Sequence, residues 1–140
     1  MAVDSNQPAG PSLPLILARE LAANLATPVL LIDAEGILAY LNEAAELMIG
    51  KSYAELAGME ALDLGEMLQL TDLDGTPIRR RDMPSGVAYF RREPSHRTLW
   101  ATSLDGTRRK VEVTSYPLFG RVGVMHGVLT VFWEAKENGG

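Results

Sequence analysis

The sequence feature that most restricts the fold is an apolar β-hairpin that leads directly into a short helix. Two apolar runs, Val29–Ile32 and Ile37–Leu41, are separated by the turn-forming residues Asp33-Ala34-Glu35-Gly36, which predicts two antiparallel strands. Asn42 follows at once and is a preferred N-cap for a helix over Glu43–Ile49. The side-chain amide of Asn42 can also tie the hairpin to that helix, because it both donates and accepts hydrogen bonds.

Three more strands are predicted near the other end of the chain, over His96–Thr102, Arg108–Tyr116 and Val124–Glu134. Short helical segments lie between the two strand regions. Gly50 is expected to end the helix over Glu43–Ile49 in the left-handed conformation, and Ser52 and Glu55 have the spacing of a capping box at the start of another. Residues 59–70 are predicted to be a loop with a helical turn near Leu64–Leu68. Asp82 is expected to cap a later helix, with Pro84 in its first turn. Strands at both ends with helices between them indicate an α+β fold. We therefore predict one five-stranded antiparallel sheet, with the short middle helices covering one face.

The 140 residues are enough for one domain, which we place at residues 12–135. Residues 1–11 are rich in Pro, Gly and small polar residues and are predicted to be a flexible lead-in. A polar, flexible tail is expected over residues 136–140. Apolar residues at helical spacing predict an N-terminal flanking helix over residues 12–27, which Pro28 ends.

The flanking helix is apolar on more than one side, with Leu15 and Leu25 in addition to a stripe formed by Leu13, Leu17 and Leu21. One face can cover the sheet while another meets a second copy of the chain. We therefore expect a homodimer with Leu13, Leu17, Leu21 and Leu25 in its interface. The alternative interpretation is that a single broad face covers only the chain's own sheet.

Composition excludes several kinds of chemistry. The chain has no cysteine, which removes disulfides, iron–sulfur clusters and thiol nucleophiles, and its two histidines make a closed zinc site improbable. No catalytic triad signature, P-loop or dinucleotide fingerprint is present, so we predict that the chain is not an enzyme. No apolar stretch reaches the roughly 20 residues that span a bilayer, and the N-terminus is a poor secretory signal. We expect a cytoplasmic protein with no membrane partner.

Charge is unevenly distributed, although the net charge is only −5. Residues 1–78 carry a balance of −10, whereas residues 79–110 carry +6 and include the run Arg79-Arg80-Arg81. A basic segment can bind an acidic partner or phosphates, but a solvated loop is the simpler interpretation. Aromatic residues do not interleave with the bases, and we expect no nucleic-acid partner.

The order of these elements resembles the PAS domain family. The most specific segment is Pro28–Asn42 (PVLLIDAEGILAYLN), which is similar to the opening hairpin of the family. Later matches are Asp74-Gly75, Met83-Pro84 before a helix, and Asp105-Gly106 before a strand. The resemblance covers nearly the whole domain and implies the PAS fold.

For function, the resemblance implies a sensory or interaction module of a signalling protein, and we expect a bacterial one. Members of the family hold small ligands between the sheet and the helices, dimerise, and regulate an attached output domain. No output domain fits in this chain, so it acts alone, acts through a signalling partner, or is a fragment. The frequent Asp-Ile-Thr exit motif is absent, since Phe132-Trp133-Glu134 stands there.

A candidate ligand pocket under the long helix is assigned to Val87, Tyr89, Phe90, Trp100 and His126. The alternative is that these large side chains simply fill the core. Chromophores linked through cysteine are excluded. A haem or a non-covalent flavin remains an alternative for a redox sensor, but haem is disfavoured because the long helix contains no histidine. The identity of any cofactor stays open.

Overall fold

The computed structural model describes residues 12–121 and 123–136. The predicted lead-in at 1–11 and all of the predicted tail except Lys136 lie outside the described residues. Five strands form one antiparallel sheet in the spatial order β2-β1-β5-β4-β3, which confirms the predicted five-stranded sheet. The strands are β1 (Val29–Asp33), β2 (Leu38–Leu41), β3 (Ser95–Thr102), β4 (Arg108–Phe119) and β5 (Met125–Glu134).

The chain brings its two ends together at the centre of the sheet. Strand β1 pairs with β5 so that Leu31 lies opposite Leu129, and β5 pairs with β4 so that Leu129 lies opposite Tyr116. The opening hairpin therefore joins the closing meander through the two central strands. Strand β5 therefore joins the opening hairpin to β4 and β3 in one continuous sheet.

The helices are α1 (Leu13–Ala23), α2 (Glu43–Ile49), α3 (Tyr53–Leu56), α4 (Ala61–Met67) and α5 (Pro84–Arg91). Local sequence explains most of their ends. The Asn42 side chain caps α2, and Gly50 ends that helix in the left-handed conformation with φ +98°. Ser52 and Glu55 form a reciprocal capping box at the start of α3. All three features agree with the sequence prediction.

Two predicted helix boundaries differ from the structure. The flanking helix ends at Ala23 rather than near residue 27, because Asn24 already leaves the helical conformation. The Asp82 side chain does not cap α5, since Met83 is the N-cap residue and Asp82 belongs to a 3-10 turn over Arg80–Asp82. The predicted loop over residues 59–70 contains the two-turn helix α4.

Helices lie on both faces of the sheet. On the inner face, Leu30, Ile32, Val128 and Phe132 pack against residues of α2 to α5 and form the main core. Val29 and Leu31 point to the outer face because strand residues alternate, and both are fully buried. Helix α1 covers part of this outer face through its buried residues Leu15 and Ala22. None of the helices in the described ranges is both long and apolar enough to cross a membrane.

Candidate functional site

An interior cavity of about 90 Å³ lies between the inner face of the sheet and the helices. Strands β1, β3, β4 and β5 contribute one wall, and α2, α4 and the start of α5 contribute the other. The lining is mainly apolar and includes Leu30, Leu64, Leu99, Val111 and Phe132. A void of this size is several times larger than the space that one water molecule needs. The cavity can therefore hold a small molecule.

Three hydroxyl groups meet beside the cavity. Ser85 Oγ on α5 lies 3.0 Å from Thr130 Oγ1 on β5, and Thr130 Oγ1 lies 2.7 Å from Ser115 Oγ on β4. Ser85 and Ser115 are 3.4 Å apart, which closes the triangle. Ser115 and Thr130 are buried, and Ser85 and Thr130 line the cavity. The cluster ties α5 to the two strands beneath it and satisfies buried polar groups internally.

A second polar feature of the cavity wall is Arg109 on β4. Its Nη1 donates a hydrogen bond to the buried Ser103 Oγ, and the Ser103 hydroxyl donates to the Met48 carbonyl oxygen at 2.7 Å. The nearest carboxylate is Glu134, whose Oε1 lies 3.8 Å from Nε of Arg109. A positive charge thus stands at the edge of an otherwise apolar space.

The structure does not gather the five side chains assigned to a pocket from the sequence. Trp100 lies on the outer face, opposite Lys110, with the Arg108 guanidinium 4.2 Å above its ring, whereas its neighbours Leu99 and Ala101 line the cavity. Val87 lines a polar surface cleft on the far side of α5. The imidazole of His126 packs against Gly120, and a Cβ at that glycine would overlap it.

Tyr89 and Phe90 do lie together, in a surface cleft beside the cavity. Their rings meet edge to face with centroids 5.1 Å apart, and the Tyr89 hydroxyl donates to the Ala34 carbonyl oxygen at 3.1 Å. Gly36 lies directly against the Tyr89 ring, and its φ of +86° also favours glycine. This cleft and the interior cavity share three lining residues, Ala61, Leu62 and Ser85.

Arg80 lines the cleft that contains Tyr89 and forms ion pairs with two residues of α4. Its Nη1 lies 2.7 Å from Asp63 Oδ1 and 2.9 Å from Glu66 Oε1. The hydrogen bond to Asp63, supported by the nearby Glu66 charge, raises the pKa of the Arg80 guanidinium above its already high ordinary value. Because all three side chains are partly exposed, this cluster fixes geometry more than it adds stability.

The cavity residues that sequence reasoning missed carried only weak signals. Arg109 occupies the same alternation as Val111 and Val113, which places it on the buried face of β4. Thr130 is a polar residue between the apolar residues Leu129 and Val131 of the final strand. Both positions are visible in the sequence as polar residues on an apolar face, but only the structure shows that they border the same space as Ser85.

The residues of this cavity do not fit haem or flavin. No imidazole lines the cavity among the described residues. His96 lies at the exposed edge of the sheet, with its Nδ1 2.6 Å from Thr114 Oγ1. The volume of about 90 Å³ is also below the roughly 150 Å³ that holds benzene, whereas both cofactors contain fused or linked rings.

The leucine stripe of α1 is exposed. Leu13, Leu17 and Leu21 are 66%, 59% and 61% exposed, and Leu25 beyond the helix end is also exposed. At about 100° per residue, these helical leucines lie on the side opposite Leu15 and Ala22. Helix α1 therefore presents one apolar face to its own sheet and a second one outward.

An α+β sheet of this strand order, with helices and a cavity on one face, defines the class of PAS sensory domains. The family model described as the PAS fold matches residues 17–133, and the chain belongs to this family. This confirms the resemblance inferred from the hairpin and the later turn positions. Among curated proteins, none matches this sequence.

Solved structures of PAS domains are similar to this chain in fold. The PAS domain of BvgS from Bordetella pertussis is 18% identical, with a TM-score of 0.62, and the match covers 89% of this chain and 87% of that chain. The PAS domain of nitrogen regulation protein NR(II) from Vibrio parahaemolyticus is 19% identical, with a TM-score of 0.59 and coverage of 89% and 99%. The PAS domain of the fruit-fly ELK potassium channel is 10% identical, with a TM-score of 0.70 and coverage of 86% and 95%.

Proposed function

We propose that this PAS domain is a sensor that binds a small molecule in the interior cavity and works as a homodimer paired through α1. The observation that carries the proposal is the cavity itself, an apolar space of about 90 Å³ with polar groups on its wall. A core of ordinary density would leave few voids larger than a water molecule. Bacterial, cytoplasmic signalling, with a protein partner receiving the signal, is part of the same proposal.

The polar groups of the cavity support binding of a molecule but not its chemical conversion. A serine or threonine nucleophile needs an adjacent base. Ser85, Ser115 and Thr130 hydrogen-bond to one another, and no histidine or carboxylate among the described residues lines the cavity. The site can hold a molecule but has no group that would activate an attacking hydroxyl.

Dimerisation is supported by the two-sided character of α1. Its outward leucines are uncharged and regularly spaced, so the same stripe on a second copy is a complementary surface for a two-fold contact. Burying apolar side chains contributes roughly 25 cal/mol per Å², which favours covering a stripe that is exposed in the single chain. We therefore assign Leu13, Leu17, Leu21 and Leu25 to the dimer interface.

Signal transmission would occur by population shift. A ligand that fits one arrangement of the helices and sheet better than another increases the population of that arrangement. Strand β5 connects the two sites, since Thr130 faces the cavity and its neighbours Leu129 and Val131 point to the face that carries α1. A small movement of β5 can thus change how two α1 helices pair.

The first experiment is native mass spectrometry of freshly purified protein, beside a denatured control. We expect a dimer whose mass exceeds two chains by a small molecule, and we expect that excess to disappear on denaturation. A dimer of bare mass, unchanged after incubation with a library of small molecules, would contradict the ligand-binding half of the proposal. A monomer at micromolar concentration would contradict the other half.

Charge placed in the leucine stripe should dissociate the dimer. The double variant Leu17→Glu/Leu21→Glu is expected to weaken dimerisation by more than about tenfold, because it puts carboxylates into an apolar contact. Light scattering after size-exclusion chromatography measures this. Leu47→Glu is the matched control, because Leu47 on α2 is 75% exposed and lies outside the stripe. Equal dimerisation of both variants would show that α1 is not the interface.

A further inference from the structure

The cavity wall carries one permanent charge, the guanidinium of Arg109. Every other side chain that lines the cavity is apolar or a hydroxyl. Arg109 lies on the inner face of β4, opposite Ala101, which also lines the cavity. Its side chain is 26% exposed, and its guanidinium donates to Ser103, which also lines the cavity, so Arg109 contacts both the cavity wall and solvent.

No carboxylate among the described residues hydrogen-bonds to Arg109, although the charges of the nearby Asp105 and Glu134 attract it. Glu134 Oε1 is 3.8 Å from Nε, too far for a hydrogen bond, and the Glu134 side chain is 64% exposed. The bond from Nη1 reaches the neutral hydroxyl of Ser103. Over residues 12–121 and 123–136 no other acceptor is within hydrogen-bond distance of the guanidinium, which has five N–H donors.

An anion with two coplanar oxygens satisfies such a guanidinium best, because two parallel N–H···O bonds match its planar fork. The rest of the ligand must be apolar, because Leu64, Leu99 and Val111 line the adjoining space. By proportion to the roughly 150 Å³ cavity that binds benzene, about four non-hydrogen atoms fit. The hydroxyl cluster lies six residues further along β4, about 20 Å at 3.3 Å per residue, so a ligand of this size reaches only one of the two.

We propose that the ligand of this domain is a short-chain monocarboxylate, whose carboxylate pairs with Arg109 and whose alkyl chain occupies the apolar cavity. This inference rests on the proposed ligand-binding function and names the chemical class of the ligand. Ser103 is a positioning residue here, because its hydroxyl, fixed by the Met48 carbonyl, holds the guanidinium at the cavity edge. The hydroxyl cluster then serves to couple α5 to β5 rather than to bind the ligand.

The test is titration calorimetry of the full chain with acetate, propionate, butyrate and hexanoate, and with the uncharged 1-butanol as the matched neutral ligand. We expect saturable binding of one carboxylate per chain, at least about tenfold weaker for 1-butanol. Binding should be strongest for propionate and butyrate, because an alkyl chain of up to about four carbons fits the cavity while the carboxylate lies outside it at Arg109. Arg109→Gln should lose at least about tenfold in carboxylate affinity. Arg108→Gln should lose nothing, because Arg108 lies on the outer face over Trp100.

The outcomes separate the two levels of the proposal. Equal binding of butyrate and 1-butanol, with no effect of Arg109→Gln, would overturn the carboxylate assignment while leaving a ligand-binding cavity. No saturable binding of any of the five compounds would also overturn it, and the native mass measurement would then judge the ligand-binding function by itself. If Arg109→Gln fails to fold, the side-chain ¹⁵Nε resonance of Arg109 in the unmodified protein replaces it. That resonance should shift with butyrate while the Arg108 resonance does not.

Discussion

The side-chain amide of Asn42 joins segments that are far apart in the sequence. Its Oδ1 accepts hydrogen bonds from the backbone N–H groups of Val29 at 2.9 Å and Ala45 at 3.0 Å. Its Nδ2 lies within hydrogen-bond distance of the carbonyl oxygens of Ala22, Leu25 and Thr27. The side chain is almost fully buried, so these bonds replace water completely. One residue therefore caps α2 and anchors the chain between α1 and β1.

Replacing this amide by a carboxylate should be costly. Asn42→Asp removes the donor and places an anion against carbonyl oxygens, so we expect the free energy of unfolding to fall by at least about 3 kcal/mol. Asn24→Asp is the matched control, since the Asn24 amide is exposed and makes one side-chain bond, to the Glu20 carbonyl. That change should cost less than about 1 kcal/mol. Urea unfolding measures both, and similar losses would contradict the anchoring role.

Sequence reasoning succeeded for residues whose role is local. Asn42 as a helix cap, Gly50 as a left-handed helix end and the Ser52–Glu55 capping box depend on spacing within a few residues, and all three are present. The Asn42 bonds to the end of α1 and to the segment after it could not be predicted from local spacing, because those carbonyls come from 15 to 20 positions earlier. For the same reason Trp100 was assigned to a pocket, although the register of β3 turns it outward.

Helix α5 owes its position to a close approach of two backbones. At Gly86, a Cβ would overlap the carbonyl oxygen of Arg80 in the 3-10 turn. The turn in turn contacts α4 through the pairing of Arg80 with Asp63 and Glu66. Glycine is the only residue small enough for this contact, so Gly86 determines how closely α5 approaches the 3-10 turn. Because α5 carries Ser85, the same contact sets one wall of the cavity.

A methyl group at this position should push α5 away from the turn. We expect Gly86→Ala to lower the free energy of unfolding by about 1 to 3 kcal/mol, since the overlap is with rigid backbone. Gly65→Ala on α4 is the matched control. Its new Cβ would lie 2.7 Å from Met83 Sδ, at the end of a flexible side chain that can move. There the gain in helix propensity, about 1 kcal/mol, offsets the crowding. Equal midpoints of urea unfolding for the two variants would show that α5 is free to shift.

At the level of elements, the sequence predicted the strands and most helices because each has its own periodicity and turn chemistry. Helix α4 is the exception. The sequence predicts a loop over residues 59–70 with a helical turn near Leu64–Leu68, whereas the structure has helix α4 over Ala61–Met67. Its position depends on Leu64, which is buried in the core, and on the ion pair of Arg80 with Asp63. Helix α4 is stabilised by contacts with distant segments of the chain, and no local sequence pattern predicts such contacts.

The whole molecule places two candidate binding surfaces on opposite faces of one sheet. The cavity lies on the inner face, and α1 lies on the outer face against strands that also line the cavity. Between them, Gly127 of β5 has no room for a Cβ, which would meet the Ile32 carbonyl on one side and Leu15 of α1 at 3.3 Å on another. A tightly packed sheet transmits displacements because its interior is dense. Occupancy of the cavity and pairing of α1 should therefore be thermodynamically linked.

Linkage is reciprocal, which makes this coupling measurable from either side. If a cavity ligand changes the dimerisation constant by some factor, dimerisation changes the affinity for that ligand by the same factor. We expect the monomeric variant Leu17→Glu/Leu21→Glu to bind butyrate with an affinity that differs by about fivefold or more from that of the dimer, a typical allosteric coupling. Leu47→Glu, outside the stripe, should bind as the unmodified protein does. Calorimetry at one salt concentration supplies both affinities. Equal affinities for the monomeric variant and the dimer would mean that the two faces act independently, and that the domain dimerises without reporting on its cavity.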